Sequence, residues 1–300
     1  MADAKPDFLT VRELAALLRV KERRVYALAA AGDIPCSRAT GKILFPRTAV
    51  ENWLARHGTP RQADAAPAAR PIVLAGSHDP LLDWALRESR SGIATFFDGS
   101  LDGLARFGRG EAVAVGMHVF ERGIGGAGDY NVGHVARAAG DQPVVLIEWA
   151  VRERGLMVPP GNPGGIRGIA DLAGKRVMPR QAEAGSQLLL LDLLDREGIQ
   201  PSGIEFLDPP ARNETDLALA VADSKADAAL GLAGLARRFR LDFVPLVRER
   251  YDLLIWRRFY FEEPFQRFLA FCRGQPLSAR AAELGGYDLA GLGTVRFNGS

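Results

Sequence analysis

Residues 58–70, GTPRQADAAPAAR, contain no large apolar side chain. Such a stretch has nothing to bury, and its proline and alanine content makes it a semi-extended connector. A 300-residue chain interrupted in this way must build two separate cores, one over residues 1–57 and one over residues 71–300. Charge divides at the same place. Residues 1–70 hold 12 Lys/Arg against 7 Asp/Glu, whereas residues 71–300 hold 26 against 29. A basic module joined to a mildly acidic one places any polyanionic partner on the first.

Composition sets the outer limits. A hydrophobic share of 47% and a charged share of 25% are those of a folded globular chain. No run of about 18 apolar residues occurs, so no membrane partner is expected. The opening MADAKPD lacks a basic stretch followed by an apolar one, so no secretory signal is expected. Cys36 and Cys272 form neither a disulfide framework nor a CxxC metal pair. These features together predict a cytoplasmic protein.

In the first module, Thr10 and Glu13 make a capping box ahead of a helix that buries Leu14, Leu17 and Leu18. A break at Arg19 and Val20 leads to a second helix over residues 21–31, burying Val25 and Leu28 and stopping at Gly32. Two short helices with a tight turn make a helix-turn-helix. Residues 34–45, with a turn at Thr40-Gly41, read as a small hairpin or wing. Thr48 and Glu51 form a second capping box, and Val50, Trp53 and Leu54 of the helix they open close the core.

On these residues the first module resembles the excisionase/MerR-type winged helix-turn-helix. The pieces that carry the resemblance are LTV at 9–11, ELA at 13–15, VY at 25–26, AGDIP at 31–35 and VENWL at 50–54. Arg19 and Lys21 stand where that family usually has Gly and Ser, which weakens the second helix's cap and adds charge. The resemblance implies double-stranded DNA as partner, with the second helix in the major groove and the wing near the backbone or minor groove. Arg23 and Arg24 would then meet bases or phosphates, and Tyr26 would either bond a phosphate or pack in the core. Arg12 and Lys21 would position phosphates, and Arg38 and Lys42 would sit on the wing.

In the second module short apolar runs alternate with helical patterns. Residues 72–75, 112–115, 144–147, 226–230 and 243–246 are strand-like. Residues 80–88, with Asp79 as cap and Pro80 in the first turn, and residues 188–197 are helical. The alternation predicts an α/β fold with mostly parallel sheets, long enough for two lobes. Ligands of such sheets lie beyond the strands' carboxyl ends, near helix amino termini. Three loops fit that position and each holds a serine: Ser77, Ser100 and Ser186. Free N–H groups and a hydroxyl at a helix start suit a small oxyanion, although each serine could instead cap its own helix.

Here too the chain resembles a known family, the molybdate/tungstate-binding-protein-like domain of the two-lobed, type II periplasmic-binding-protein class, found behind helix-turn-helix modules in bacterial regulators. The resemblance spans residues 72–260. It is carried by GSHDPLL at 76–82, GSLDGL at 99–104, VGMH at 115–118, RQAEAGSQLL at 180–189, ADAALG at 226–231, LDFVPL at 241–246 and ERYDL at 249–253. It implies that Ser77, Ser100 and Ser186 contact an anion, with Gly185 in the third loop, Arg180 bordering it, and Tyr251 in the last segment. The third loop departs from the usual Gly-Ser-Gly-Thr-Arg, losing an arginine and gaining Glu183. Residues 212–216, RNETD, replace a segment that commonly begins with His.

His78 and His118 are candidate ligand contacts; neither has HxxxH or Cys/His spacing, so no metal site is expected. His118 ends an apolar strand and either lines the cleft or packs. Tyr130, after the glycine-rich residues 123–128, is placed to reach a ligand. No GxSxG elbow occurs, so an enzyme is not expected. The reading is a regulator of DNA, acting as a homodimer or higher homo-oligomer. It has no cofactor and takes molybdate or tungstate as effector. The alternative effector is an organic anion or a molybdenum-cofactor-related compound.

Overall fold

The computed structural model describes residues 7–37, 41–57, 70–122 and 128–300, apart from the side chains at 51, 52 and 55–57. The chain forms two compact units, Met1–Ala69 and Arg70–Ser300.

The first unit runs β1 (Phe8–Thr10), α1 (Val11–Leu18), α2 (Glu22–Ala31), β2 (Leu44–Pro46) and α3 (Arg47–His57). The capping box at α1 is formed, with the Thr10 N–H donating to Glu13 at 2.8 Å and the Glu13 N–H to Thr10 Oγ1 at 3.3 Å. Arg19 ends α1 in the left-handed region at φ 54°, the conformation a glycine adopts most readily. Lys21 precedes α2 without a side-chain cap. Leu14, Val25, Ala29, Phe45 and Val50 form the core, with Leu28, Trp53 and Leu54 packed on it. Leu17, expected inside, is 47% exposed, because the two turns of α1 turn Val11, Leu14, Ala15 and Leu18 inward.

Ser37 and Leu44 exchange two backbone hydrogen bonds of 2.7 and 2.9 Å at the base of the expected hairpin, whose turn, including Arg38 and Thr40, lies outside the described residues. β2 also pairs antiparallel with β1, setting Leu9 opposite Phe45. The Arg47 N–H donates to the Asp7 carbonyl at 2.9 Å and is already helical, so Thr48 sits inside α3 rather than capping it.

The second unit runs β3 (Val73–Gly76), α4 (Pro80–Glu88), β4 (Ala94–Phe97), α5 (Ser100–Gly108), β5 (Ala114–Met117), β6 (Phe120–Arg122), β7 (Gly128–Tyr130), α6 (Val132–Ala139) and β8 (Val144–Val158). It continues through β9 (Arg176–Val177), α7 (Gly185–Arg196), β10 (Glu205–Phe206), α8 (Glu214–Ala222), β11 (Ala229–Leu232), α9 (Ala233–Arg238) and β12 (Asp242–Trp256). It closes with α10 (Arg257–Tyr260), α11 (Glu263–Cys272), α12 (Gln275–Leu284), β13 (Tyr287–Asp288) and β14 (Val295–Asn298).

The main sheet has the order β11-β8-β12-β5-β3-β4, with β13 and β14 also on β8. Only β4, β3 and β5 are parallel neighbours; the remaining pairs are antiparallel. The mostly parallel sheet expected from the alternation is therefore a mixed one. The cause is two 15-residue strands, β8 and β12, paired from Asp242 opposite Val158 to Trp256 opposite Val144. Residues 144–147 and 243–246 are each one end of such a strand.

These long strands make two lobes. Val145, Ile147 and Trp149 of β8 pack with Leu74, Leu81 and Leu253 in one apolar cluster. Leu156 and Val158, further along the same strand, pack with Leu189, Leu190 and Leu230 of α7 and β11 in another. Between the clusters, β8 and β12 carry the charged pattern Arg152, Arg154 and Glu249. Arg70, at the end of the connector in sequence, is fastened into the first lobe. Its guanidinium donates to the Phe107 and Ala112 carbonyls at 2.7 and 3.1 Å and lies 3.9 Å from the Trp256 ring centroid.

Candidate functional site

In the first unit, α2 turns Val25 and Ala29 inward and leaves Arg23, Arg24 and Tyr26 outside. Tyr26 is 51% exposed, so of its two readings the core is excluded. Arg12, Lys21 and Lys42 are exposed as well. Arg38 lies outside the described residues.

In the second unit the site is built where strand ends meet helix starts. Gly76 closes β3 so tightly that a Cβ there would lie 2.2 Å from the Gly116 carbonyl oxygen, at a φ of 113°. Ser77 follows, its N–H on the Gly116 carbonyl at 2.8 Å and its own carbonyl accepting from the Tyr251 hydroxyl. Ser100 is the first residue of α5, and its Oγ accepts from the His118 N–H at 3.3 Å. His118, just past β5, sets Nε2 2.9 Å from Ser77 Oγ and Nδ1 3.0 Å from Glu249 Oε2, and stacks on Tyr251.

The second lobe closes on this cluster through the start of α7. A Cβ on Gly185 would lie 2.7 Å from the His118 carbonyl oxygen and 3.0 Å from its ring. The Leu101 N–H reaches the Glu183 carbonyl at 3.4 Å, and Gln181 donates to Asp98 at 3.1 Å. Ser186, in the first turn of α7, is 2% exposed, and its hydroxyl has no hydrogen-bond partner. None of the three serines caps its helix. Asp79 caps α4 through the Leu82 N–H, while Gly99 and Ala184 precede α5 and α7 without side-chain caps.

Behind the serines lies a buried row of alternating charge. Asp79 accepts from Arg152 at 2.9 Å, Tyr287 at 2.8 Å and Trp149 at 3.1 Å. Arg152 also bonds Glu249, whose carboxylate lies 2.8 Å from Arg154 Nε. Arg154 and Arg180 both reach Glu214, at 3.1 and 3.3 Å. Burial alone would raise the Glu249 carboxyl, but Arg152 and Arg154 hold it well below its ordinary value. Glu214 is likewise lowered, by Arg154 and Arg180 against its burial. Burial pushes His118 below its ordinary value although Glu249 pulls the other way, which favours the neutral ring.

The other expected site residues fall around this centre. Arg180 spends its guanidinium on Glu214, Gln181 and the Ala211 and Arg212 carbonyls. Tyr130 is buried, with its ring edge-on to Phe120, and its phenol is raised by burial and by Glu249. His78 turns toward Phe97, with ring centroids 5.5 Å apart and its pKa lowered by burial. Ser77, Ser100, His118, Gly185, Ser186 and Tyr251 thus fall around one centre, which Arg180 borders through its guanidinium on Glu214 and its N–H on the Gln187 side chain at 2.9 Å. Sequence reasoning missed Arg152, Arg154, Glu214 and Glu249. The available signal was the charged stretch Arg152-Glu153-Arg154 set between the apolar runs 144–147 and 156–158 of one strand.

Ser77, His118 and Glu249 have the connectivity of a hydroxyl–imidazole–carboxylate relay. Glu249, however, is shared with two guanidiniums, which neutralise the charge that would stabilise an imidazolium. The ionic row is also internally balanced, three carboxylates against three guanidiniums. What remains for a guest is a set of neutral donors at the start of the 12-residue α7: the Ser186 hydroxyl and the N–H groups of Gly185 and Ser186, the Gln187 N–H being bonded to the Ala184 carbonyl at 3.0 Å. Among the described residues no group of three or more His, Cys, Asp or Glu could hold a metal ion. Among them, too, no helix is long and apolar enough to cross a membrane.

Residues 8–58 match a helix-turn-helix domain family, and residues 84–273 match the PBP superfamily domain. The chain is 26% identical over 302 residues to the uncharacterized protein YvgK of Bacillus subtilis (strain 168), covering 95% of this chain and 96% of that protein. Its fold is similar to the solved structure of the tungstate ABC transporter from Geobacter sulfurreducens, with a TM-score of 0.52 and 14% identity over 70% of this chain and 97% of that one. At that identity the likeness concerns the fold alone.

Proposed function

Since the chain belongs to the PBP superfamily domain family and opens with a helix-turn-helix domain, we propose that it is a ligand-responsive DNA-binding regulator whose second unit closes on a small oxyanion. Residues 1–57 would read DNA, residues 58–70 connect, and residues 71–300 sense. The observation that carries the ligand reading is the Ser186 hydroxyl, buried and unpartnered at the start of α7, next in sequence to Gly185, which abuts the His118 that bonds Ser77 and Ser100. A buried hydroxyl left without a partner is costly, and a small anion at a helix amino terminus satisfies both hydroxyl and N–H groups.

Molybdate and tungstate are the first anions to test, because the structure with this fold named above is a tungstate transporter. The balanced ionic row favours a second reading, a small organic anion, since no guanidinium charge is left over for a dianion. In either case the ligand acts only through its different affinity for open and closed lobes, which respaces two DNA-binding units in a dimer. Titration calorimetry with molybdate, tungstate, sulfate and phosphate is expected to show saturable heat with one or more of them. Silence from all four removes the oxyanion reading. Footprinting with and without the bound anion tests the coupling to DNA, and a single unpaired half-site would remove the dimer.

A further inference from the structure

We propose that the interlobe site binds a bare tetrahedral dianion together with one proton, because Ser77 faces the guest as a hydrogen-bond acceptor. The proposal deepens the oxyanion reading and rests on it.

The polarity of the Glu249–His118–Ser77 line follows from which groups can donate. Glu249 is an ionised carboxylate held by Arg152 and Arg154, so it only accepts. His118 Nδ1, 3.0 Å away, must therefore carry the ring's hydrogen. In a neutral ring Nε2 is then bare, and at 2.9 Å it can only accept the hydrogen of the Ser77 hydroxyl. Ser77 Oγ is left with lone pairs alone. A fully deprotonated oxyanion also offers lone pairs alone, so the two repel where they meet.

One added proton removes the conflict. It can sit on an oxygen of the anion and be donated to Ser77. It can equally sit on His118 Nε2 and be donated to Ser77 Oγ, whose own hydrogen then turns to the anion. The line has gained the same single proton in both cases, and linkage counts only that number. The ring is faced by Ser77 from the β3–α4 loop and by Gly185 from α7, while Ser100 of α5 holds the His118 N–H. Arg152 and Arg154 of β8, and Glu249 and Tyr251 of β12, complete its surroundings. Both arginines are committed to carboxylates, so a dianion against Ser77 adds unbalanced negative charge, which favours proton uptake. An anion that keeps a hydrogen at mildly alkaline pH, such as monohydrogen phosphate, brings its own donor and needs no uptake.

The test is titration of the full-length protein with sodium tungstate in two buffers of different ionisation enthalpy at one mildly alkaline pH. The expected result is uptake of about one proton per tungstate bound and a Kd that rises up to about tenfold per pH unit. Monohydrogen phosphate is expected to bind with no uptake. Long-range proton–nitrogen NMR of the ligand-free protein is expected to show His118 protonated at Nδ1 and bare at Nε2. Tungstate binding with no proton exchange overturns the proposal and leaves the oxyanion reading standing, and a hydrogen on Nε2 of the free protein overturns it as well. Absence of binding by every oxyanion tested overturns both.

Discussion

Replacing Ser186 with alanine separates a ligand-contacting hydroxyl from a structural one, because the two roles predict opposite signs. The hydroxyl is buried at 2% exposure and has no partner. Leaving such a group unsatisfied costs a folded protein about 1–3 kcal/mol. Ser186→Ala removes that cost and sits at a helical position, so the ligand-free protein should become more stable. For a unit of this size, each kcal/mol raises Tm by about 2–4 °C. In the complex the same hydroxyl donates to an anion, a bond of about 1.5–3 kcal/mol, so affinity should fall about ten- to hundredfold. Scanning calorimetry without ligand and titration calorimetry with tungstate read the two effects separately. A variant that melts lower than the parent without ligand would mean that Ser186 already has a bond to lose, and the argument for an empty donor would fail.

Glu249→Gln leaves Arg152 and Arg154 buried without their shared carboxylate, and denaturant unfolding should show a loss of about 3–5 kcal/mol. Glu214 and Glu249 have lowered pKa values, so the stability they contribute is present above the ordinary carboxylate value of 4.5 and is lost as pH falls through their lower folded values. Asp252 behaves oppositely: burial raises it to about 6 from 3.8, so its contribution is present below pH 3.8 and is lost as pH rises through about 6. Asp252→Asn should flatten that window in a stability–pH profile, and an unchanged profile would refute the assignment. If Arg23 and Arg24 each neutralise a phosphate, alanine at either should lower the slope of log affinity against log salt by about 0.9 for a DNA duplex. An unchanged slope would place both outside the interface.

Local features of this fold were legible and distant ones were not. The capping box at Thr10 and Glu13, and the Asp79 cap followed by Pro80, depend on residues three apart or closer, and both form as the residue types require. The long strands were cut short in the sequence reading because their middles are charged. Arg152 and Arg154 look like a solvated stretch until Glu249, 97 positions after Arg152, is known to lie against them. The parallel character of the sheet was overestimated for the same reason, since the antiparallel run of β8 beside β12 has no signature in either strand alone. At the site, the serine loops announce themselves by their glycines and helix starts. The line from Ser77 through His118 to Glu249 joins three segments that no spacing rule connects.

Arg70 has a mechanical consequence. Its guanidinium grips the carbonyl end of α5, and the amino end of that helix, about 13 Å away for nine residues, sets Ser100 against the His118 N–H. The root of the tether is thus riveted to the same half of the clamshell that carries Ser77 and His118. In the sensor proposed above, opening of the two lobes about β8 and β12 would carry Arg70 with that half and move the half bearing α7 relative to it. A signal to the DNA-binding unit of the proposed regulator would then have to start from the α7 half.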